Sequence, residues 1–598
     1  MTPTTAAAGS RAVGAATIAE AFRITASDHP DRVAVRTKDD EVSLTWSELR
    51  DRVDALARGL HELGVRRGDT VALMLANRPE FHIADLAAMT LGATPFSIYA
   101  TSSPEQIAYV VGDAQAKVAI VEELFSGQFL PAREQLPALE TVIVLEGARA
   151  EGTVAWADVE ATESDFDVEA AWRAVESEDL ITLIYTSGTT GPPKGVQLVH
   201  RNLMTATRGV EELIRFPDGS KVISWLPAAH IAERMAHHYL PIVYAMTITC
   251  CPNPREVVAY LPAVKPTWFF AVPRIWEKLK AGMEGFLASG EGAERKRAWL
   301  DAAKRKIEFE QAGEEVPEDL AATVAEADAQ LFAGLRAMLG FDEISAVNVG
   351  AAPTPREVLV FFHAIGVPLA ELWGMSETCG AGACNPPERI KIGTVGPPTP
   401  GVEARLAEDG ELLIRSDVVM TGYRNLPERT SEALDADGWL HTGDIATIDE
   451  DGYIAIVDRK KELIINAAGK NMSPSNIESE LKGASALIGQ ACVIGDGRSF
   501  NTALIVLDAD FGPAWAAQNG LEGKSLEALA REDAVRAAVQ AGVDRANDRL
   551  SRVEQVKRFT LVEGDWAPGG DELTPTMKLK RKPIAAKYAG AIEAMYSR

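Results

Sequence analysis

Tyr185-Thr-Ser-Gly-Thr-Thr-Gly-Pro-Pro-Lys194-Gly195 is the stretch from which the rest of the chain can be read. It follows an apolar run at 180–184 that predicts a buried strand. Positions 186–195 hold three Gly, the hydroxyls of Thr186, Ser187, Thr189 and Thr190, and one Lys, Lys194. Glycines such as Gly188 and Gly191 let a backbone turn tightly enough for successive N–H groups to face one point. Hydroxyls add donors, and Lys194 adds a full positive charge. The result is an anion cradle suited to a polyphosphate. It is not the GxxxxGK[ST] loop of the P-loop ATPases, because Lys194 stands between Pro193 and Gly195.

Outward from this loop, the chain changes character several times. Residues 45–63 predict an amphipathic helix, with Leu49, Val53, Leu56, Leu60 and Leu63 at helical spacing. Apolar runs at 71–75, 118–121 and 141–145 alternate with helical segments, the βαβ pattern of a parallel sheet. Further runs lie at 222–226, 267–272 and 344–349. Residues 281–340 predict two antiparallel helices broken near 313–317, packing through Leu320, Val324, Ala327, Leu331, Leu335 and Met338. From about 400 the pattern is short strands with Asp/Gly turns, and beyond 460 a compact α+β segment with the basic run Lys578-Leu-Lys-Arg-Lys582.

The 598 residues carry a net charge of −26, which repels phosphate backbones and argues against bulk nucleic-acid binding. Five cysteines with no CxxC fit neither a disulfide framework nor a zinc ribbon and point to a reducing, cytoplasmic setting. The first sixteen residues carry no apolar signal core, and no apolar run approaches the length of a membrane span. Peripheral contact with a membrane stays open, as does the oligomeric state.

The loop at 185–195 resembles the phosphate-binding motif of the adenylate-forming superfamily, which includes acyl-CoA synthetases, firefly luciferase and peptide-synthetase adenylation domains. Further motifs follow in the family's order. Trp225-Leu-Pro-Ala-Ala-His230-Ile is similar to its second motif, which places His230 beside the substrate carboxylate. His237 and His238 are read as helix-surface residues. Val272-Pro-Arg-Ile-Trp-Glu-Lys278 resembles a segment of the long-chain fatty acyl-CoA ligases, the branch the chain is closest to. Gly350-Ala351-Ala352-Pro353 and Glu371-Leu372-Trp373-Gly374-Met375-Ser376-Glu377 resemble the adenine-site motifs. Trp373 is an aromatic wall for the base, Ser376 a donor to the α-phosphate, and Glu377, with Thr186, a ligand for Mg²⁺. Trp439-Leu-His-Thr-Gly-Asp444 resembles the ribose motif, and Arg459 reaches ribose or phosphate. Lys461 matches the hinge position; Gly469 and Lys470 match the turn under the pantetheine arm of CoA. Thr574-Pro-Thr-Met-Lys578 resembles the terminal motif with the catalytic Lys, although many members have Gly where Met577 stands.

The resemblance implies an α/β fold. Its large N-terminal domain (1–457) has parallel sheets, a helical insertion at about 281–340 and a β-rich subdomain at about 400–457. A hinge at 458–461 and a small mobile α+β domain (462–598) follow. It implies an ATP- and Mg²⁺-dependent ligase that converts a fatty acid to acyl-AMP and then to acyl-CoA. A fatty acyl-AMP ligase that stops at the adenylate, or passes it to a carrier protein, is the alternative. Amino-acid adenylation is disfavoured, because Ile223-Ser224-Trp225 offers no carboxylate for a substrate ammonium.

Overall fold

The computed structural model describes residues 10–147, 151–186, 192–467 and 469–597. Five parallel strands form the first sheet, in the order Thr94–Ser97, Thr70–Met74, Val118–Glu122, Thr141–Leu145, Thr153–Ala155. The two-residue period of a strand sends alternate side chains to opposite faces. Val71 and Leu73 accordingly enter one core with the helices Trp46–Glu62 and Pro79–Thr90, while Ala72 and Met74 enter another with Pro104–Ala114 and Glu123–Arg133. Thr45 starts the first of these helices with a capping box closed by Glu48.

A second sheet joins Lys221–Ser224, Thr247–Cys250 and Val33–Thr37 in parallel, with Ser43–Thr45 antiparallel at its edge. A third joins Trp268–Ala271, Ala346–Val349 and Leu369–Trp373 in parallel. The strand at 180–186 departs from the parallel scheme. Leu180–Thr186 and Lys194–Val199 form an antiparallel hairpin extended by Gly422–Tyr423. The β-rich region is an antiparallel sheet of Glu403–Leu406, Glu411–Arg415, Leu440–Ile448 and Ile454–Arg459.

The helical region contains one more helix than the sequence predicts. Pro273–Leu287 comes first, and Ala293–Ala312 and Glu318–Ala327 then pack together across the break at 313–317. A π-turn at Asp328–Phe332 inserts one residue and shifts the register. Phe332, Leu335 and Leu339 are therefore buried, whereas Met338, expected on the packed face, is 60% exposed.

The C-terminal domain is separate. Its sheet of Ile488–Ile494, Asn501–Leu507 and Val556–Leu561 is covered by Pro474–Ala484 and Asp533–Arg549, and its core runs from Ile464 to Leu561 without joining the N-terminal one. It docks on the N-terminal domain through ion pairs: Arg274 with Asp508, Lys278 with Asp510, and Arg549 with Glu357 at 3.0 Å. All five cysteines are free and buried, and no helix among the described residues is long and apolar enough to cross a membrane.

Candidate active site

The hairpin of Leu180–Thr186 and Lys194–Val199 sets Thr186 opposite Lys194 at its end. Ser187, Gly188, Thr189, Thr190 and Gly191 lie outside the described residues. Thr186 Oγ1 donates to the Lys194 carbonyl at 3.5 Å. Lys194 Nζ stands 3.8 Å from the centre of the Tyr423 ring, and the Tyr423 hydroxyl donates to Glu377 Oε1 at 2.7 Å. Burial holds the Lys194 ammonium below its ordinary pKa while the Glu377 charge opposes that shift. Tyr423 was not legible in the sequence. Only the pairing of Gly422–Tyr423 with Lys194–Val199 brings its ring here.

The nucleotide motifs meet for a similar reason. Ala346–Val349 and Leu369–Trp373 are adjacent parallel strands with Val349 beside Glu371, so the segments 350–353 and 371–376 emerge side by side. A Cβ at Gly350 would lie 2.8 Å from the Leu372 side chain and 2.9 Å from its carbonyl oxygen, which explains the glycine. Pro353 closes this loop, and Ala351, with Ala352 beside it, holds a left-handed φ of 69°. The ring of Trp373 covers Gly382, where a Cβ would come within 2.3 Å of it. Gly374 is in the same position against the Gly380 backbone, at 2.2 Å. The Trp373 indole N–H donates to Asp444 Oδ2 at 2.9 Å, so this side chain is a hydrogen-bond donor as well as a wall.

Asp444 and Arg459 are cross-strand partners, with Arg459 Nε 2.7 Å from Asp444 Oδ1. Burial raises the Asp444 carboxyl and Arg459 counteracts it. Glu371 is half-buried, and desolvation pushes it up to about 7 against backbone hydrogen bonds from Gly393 and Thr354. Ser376 and Glu377 are buried in the short turn Ser376–Thr378 that follows Met375.

Lys578 comes from the other domain on a tight turn. The Thr574 N–H donates to the Lys578 carbonyl at 2.8 Å, Met577 N–H to the Thr574 carbonyl at 2.9 Å, and Lys578 N–H to Thr574 Oγ1 at 3.0 Å. The turn needs φ of 66° at Met577, the left-handed region where glycine is unstrained. Lys578 is exposed to solvent, and it stands close enough to Asp444 and Glu377 of the N-terminal domain for their charges to act on it. The dense surroundings and the Arg459 charge lower its pKa, while Asp444, Glu377 and Glu462 raise it.

His230 caps the helix Ile231–Arg234, and its Nδ1 accepts the Ala232 N–H at 3.1 Å. An imidazole that accepts at Nδ1 carries its proton on Nε2. Burial, with the Lys578 charge second, pushes its pKa down to about 4, so the ring is neutral near pH 7. The helix that His230 caps turns Ala232 into a small apolar pocket of about 50 Å³, lined also by Met235, Ala236, Trp268, Leu372 and Gly380 among others.

His237 and His238 correct the sequence reading. They are 1% and 0% exposed and belong to the core, because Glu233 and Asp85 supply buried carboxylates for them. Lys461 lies close enough to act on the charge of Lys194. Gly469 and Lys470 are exposed on the turn of the small hairpin Ile464–Ile465 with Asn471–Met472.

This architecture can be set against known proteins. Residues 22–424 match the family described as AMP-binding enzyme, and residues 461–598 match the AMP-binding enzyme C-terminal domain. The chain belongs to the AMP-binding enzymes. Within that family it falls among the fatty-acid–CoA ligases. It is 50% identical over 455 residues to the "Putative fatty-acid–CoA ligase fadD11" of Mycobacterium tuberculosis, covering 75% of this chain and 79% of that protein. It is 35% identical over 584 residues to the long-chain-fatty-acid–CoA ligase FadD15 of M. tuberculosis, covering 96% and 95%. The crystal structure of the anthranilate CoA ligase AuaEII in complex with anthranoyl-AMP has the same fold, with a TM-score of 0.74, 20% identity and 96% and 98% coverage.

No cluster of three His, Cys, Asp or Glu suited to a metal occurs among the described residues. Glu377 supplies one hard carboxylate and Thr186 one hydroxyl. That set fits Mg²⁺, which keeps waters and takes oxygens from substrate phosphates.

Proposed function

We propose that this AMP-binding enzyme joins a long-chain fatty acid to CoA through an acyl-adenylate. The observation that carries the reading is the meeting of Lys194, Lys578, Glu377, Asp444 and Arg459 near His230, which caps a helix that lines an apolar pocket. In the first half-reaction a carboxylate oxygen attacks the α-phosphorus of ATP, and the bond to pyrophosphate breaks. In the second, the CoA thiol loses its proton and attacks the acyl carbon, and AMP leaves with the bonding electron pair. A carboxylate is a poor acyl donor; AMP gives it a good leaving group.

Each residue has a part in this scheme. His230 donates from Nε2 to the substrate carboxylate without bringing a buried charge. Lys194 and Lys578 balance the negative charge that accumulates on the α-phosphate, the kind of pre-organised stabilisation that dominates such reactions. Asp444 and Arg459 hold the ribose, and residues 350–353 and 371–376 hold the base and the α-phosphate. Glu377 and Thr186 would hold Mg²⁺, which supplies charge neutralisation on the phosphates.

The second step requires Lys578 to leave and Gly469 and Lys470 to reach the pantetheine arm. A rotation about Asp458–Lys461 would do both. Asp458 accepts from Ser473 Oγ at 2.6 Å and from Ser475 Oγ at 3.0 Å, both on the far side of the hinge. Those bonds belong to the arrangement with Lys578 near Asp444 and Glu377. The two fatty-acid–CoA ligase relatives support the choice of acid.

The test is a panel of carboxylic acids, from acetate to very long chains, scored for pyrophosphate and AMP release. Long-chain acids are expected to release pyrophosphate, and AMP only when CoA is added. Pyrophosphate without CoA-dependent AMP would favour the acyl-AMP ligase instead. No pyrophosphate exchange with any acid would remove the proposal.

A further inference from the structure

Helix Ile231–Arg234, π-turn Met235–Tyr239 and helix Leu240–Tyr244 form one continuous segment with two unlike faces. Ala232, Met235, Ala236 and Leu240 line the apolar pocket. Glu233, Arg234, His237 and His238 point the other way and are at most 1% exposed. Burying so many ionisable groups is unfavourable unless every one of them is paired and hydrogen-bonded.

Here nearly every one is. Glu233 accepts from Ser224 Oγ at 2.6 Å, His237 Nδ1 at 2.6 Å, Leu226 N–H at 2.9 Å, Asn77 Nδ2 at 3.0 Å and Trp225 N–H at 3.4 Å. Arg234 donates to Asp85 Oδ2 at 2.5 Å, Ser97 Oγ at 3.0 Å, the Ala228 carbonyl at 3.1 Å and the Tyr239 hydroxyl at 3.1 Å. His238 Nε2 lies 3.0 Å from Asp85 Oδ1, and its Nδ1 lies 2.9 Å from His82 Nδ1. If His238 donates to Asp85, its Nδ1 must accept from His82. His82 Nε2, which has no partner among the described residues, is then a bare lone pair rather than an unpaired N–H.

The geometry points to Glu233 and Arg234 as positioning residues: Glu233 holds Trp225 and Leu226, Arg234 holds Ala228, and between them they fix the loop that ends in His230 and the pocket-lining helix that it caps. This rests on the functional reading above, in which His230 meets the substrate carboxylate. The chemistry itself asks for no ion network at this place. An apolar core of the same volume would serve stability as well or better, so the network is explained by the aim of the loop. Misplacing a reacting group by an ångström costs roughly 10²-fold in rate.

Glu233→Gln keeps the volume and removes the charge; Ser224→Ala removes one donor and leaves the rest. Both are compared with wild type in acid-dependent pyrophosphate exchange, alone and combined with His230→Ala. Glu233→Gln is expected to lower kcat roughly 10²-fold, and Ser224→Ala less, with KM for ATP unchanged. Where His230 is already Ala, either substitution is expected to cost less than about twofold more, because coupled positions are not additive. In addition, ring ¹⁵N shifts should show His230 as the single Nε2–H tautomer in wild type and a tautomer mixture in Glu233→Gln.

A folded Glu233→Gln variant with wild-type kcat and an unchanged His230 signal would overturn the inference. So would the same loss with and without His230. If Glu233→Gln does not fold, Ser224→Ala decides by the same two measurements. Wild-type protein without exchange activity would break the functional proposal instead, and the His230 signal alone would then decide the positioning role.

Discussion

Lys194 and Lys578 bring positive charge toward the same carboxylate, Glu377, from backbones of opposite kind. Lys194 begins a strand in a three-stranded antiparallel sheet, and its ammonium rests on the Tyr423 ring. Lys578 sits on a turn held by three short-range hydrogen bonds, next to a residue with left-handed φ, in a domain with its own core. That domain is docked by ion pairs at Asp508, Asp510 and Glu357, with partly exposed partners. Exposed pairs contribute little stability and are screened by salt. One lysine is therefore built into the scaffold of the large domain, and the other is carried by a domain held to it by ion pairs, the arrangement that the proposed two-step reaction would use.

The largest effect should come from removing the charge that the smaller domain carries. Lys578→Ala is expected to slow acyl-AMP formation by about 10²–10³-fold while leaving thioester formation from supplied acyl-AMP largely intact. Rapid-quench assays of the two half-reactions measure this, and equal losses in both would show that Lys578 is not confined to the first step. A smaller effect is expected from Lys461→Pro, which fixes φ at the hinge. Acyl-AMP should still form at the wild-type rate, whereas coupled turnover falls on the order of tenfold because closure and opening become limiting; normal coupled turnover would leave the rotation without support. The smallest concerns the turn itself. Met577→Gly should stabilise it by about 1 kcal/mol by removing left-handed strain, read as slower amide exchange at 577–578. Unchanged exchange would mean that the turn carries no strain.

Much of this contrast can be read in the residues, and the rest cannot, for identifiable reasons. The loop at 185–195 is dense in donors, and density of one chemistry over ten positions survives any folding. Asp444, Glu377 and Lys578 are singled out by motif, since each sits in a short run that follows the family's order along the chain. Tyr423 was missed because a Gly-Tyr pair carries no signal until strand pairing sets it beside Lys194. His237 and His238 were misread as surface residues because histidine is polar by type. Their burial depends on Asp85, over 150 residues away, and on Glu233. Met338 was misplaced because a π-turn shifted a helical period that the sequence counts as uniform.

By itself the sequence determined the local chemistry: which segments are strands or helices, and which side chains can cradle phosphate, grip a ribose or carry charge. These follow from hydrophobic period and residue type, which act over a few residues. The tertiary structure decided what meets what: Trp373 with Asp444, Lys194 with Tyr423, Lys578 with the charges of Asp444 and Glu377, and a buried network behind His230. Most of those contacts join residues tens to hundreds of positions apart. Whether a charge is paired or exposed is set by the three-dimensional surroundings and not by its neighbours in the chain.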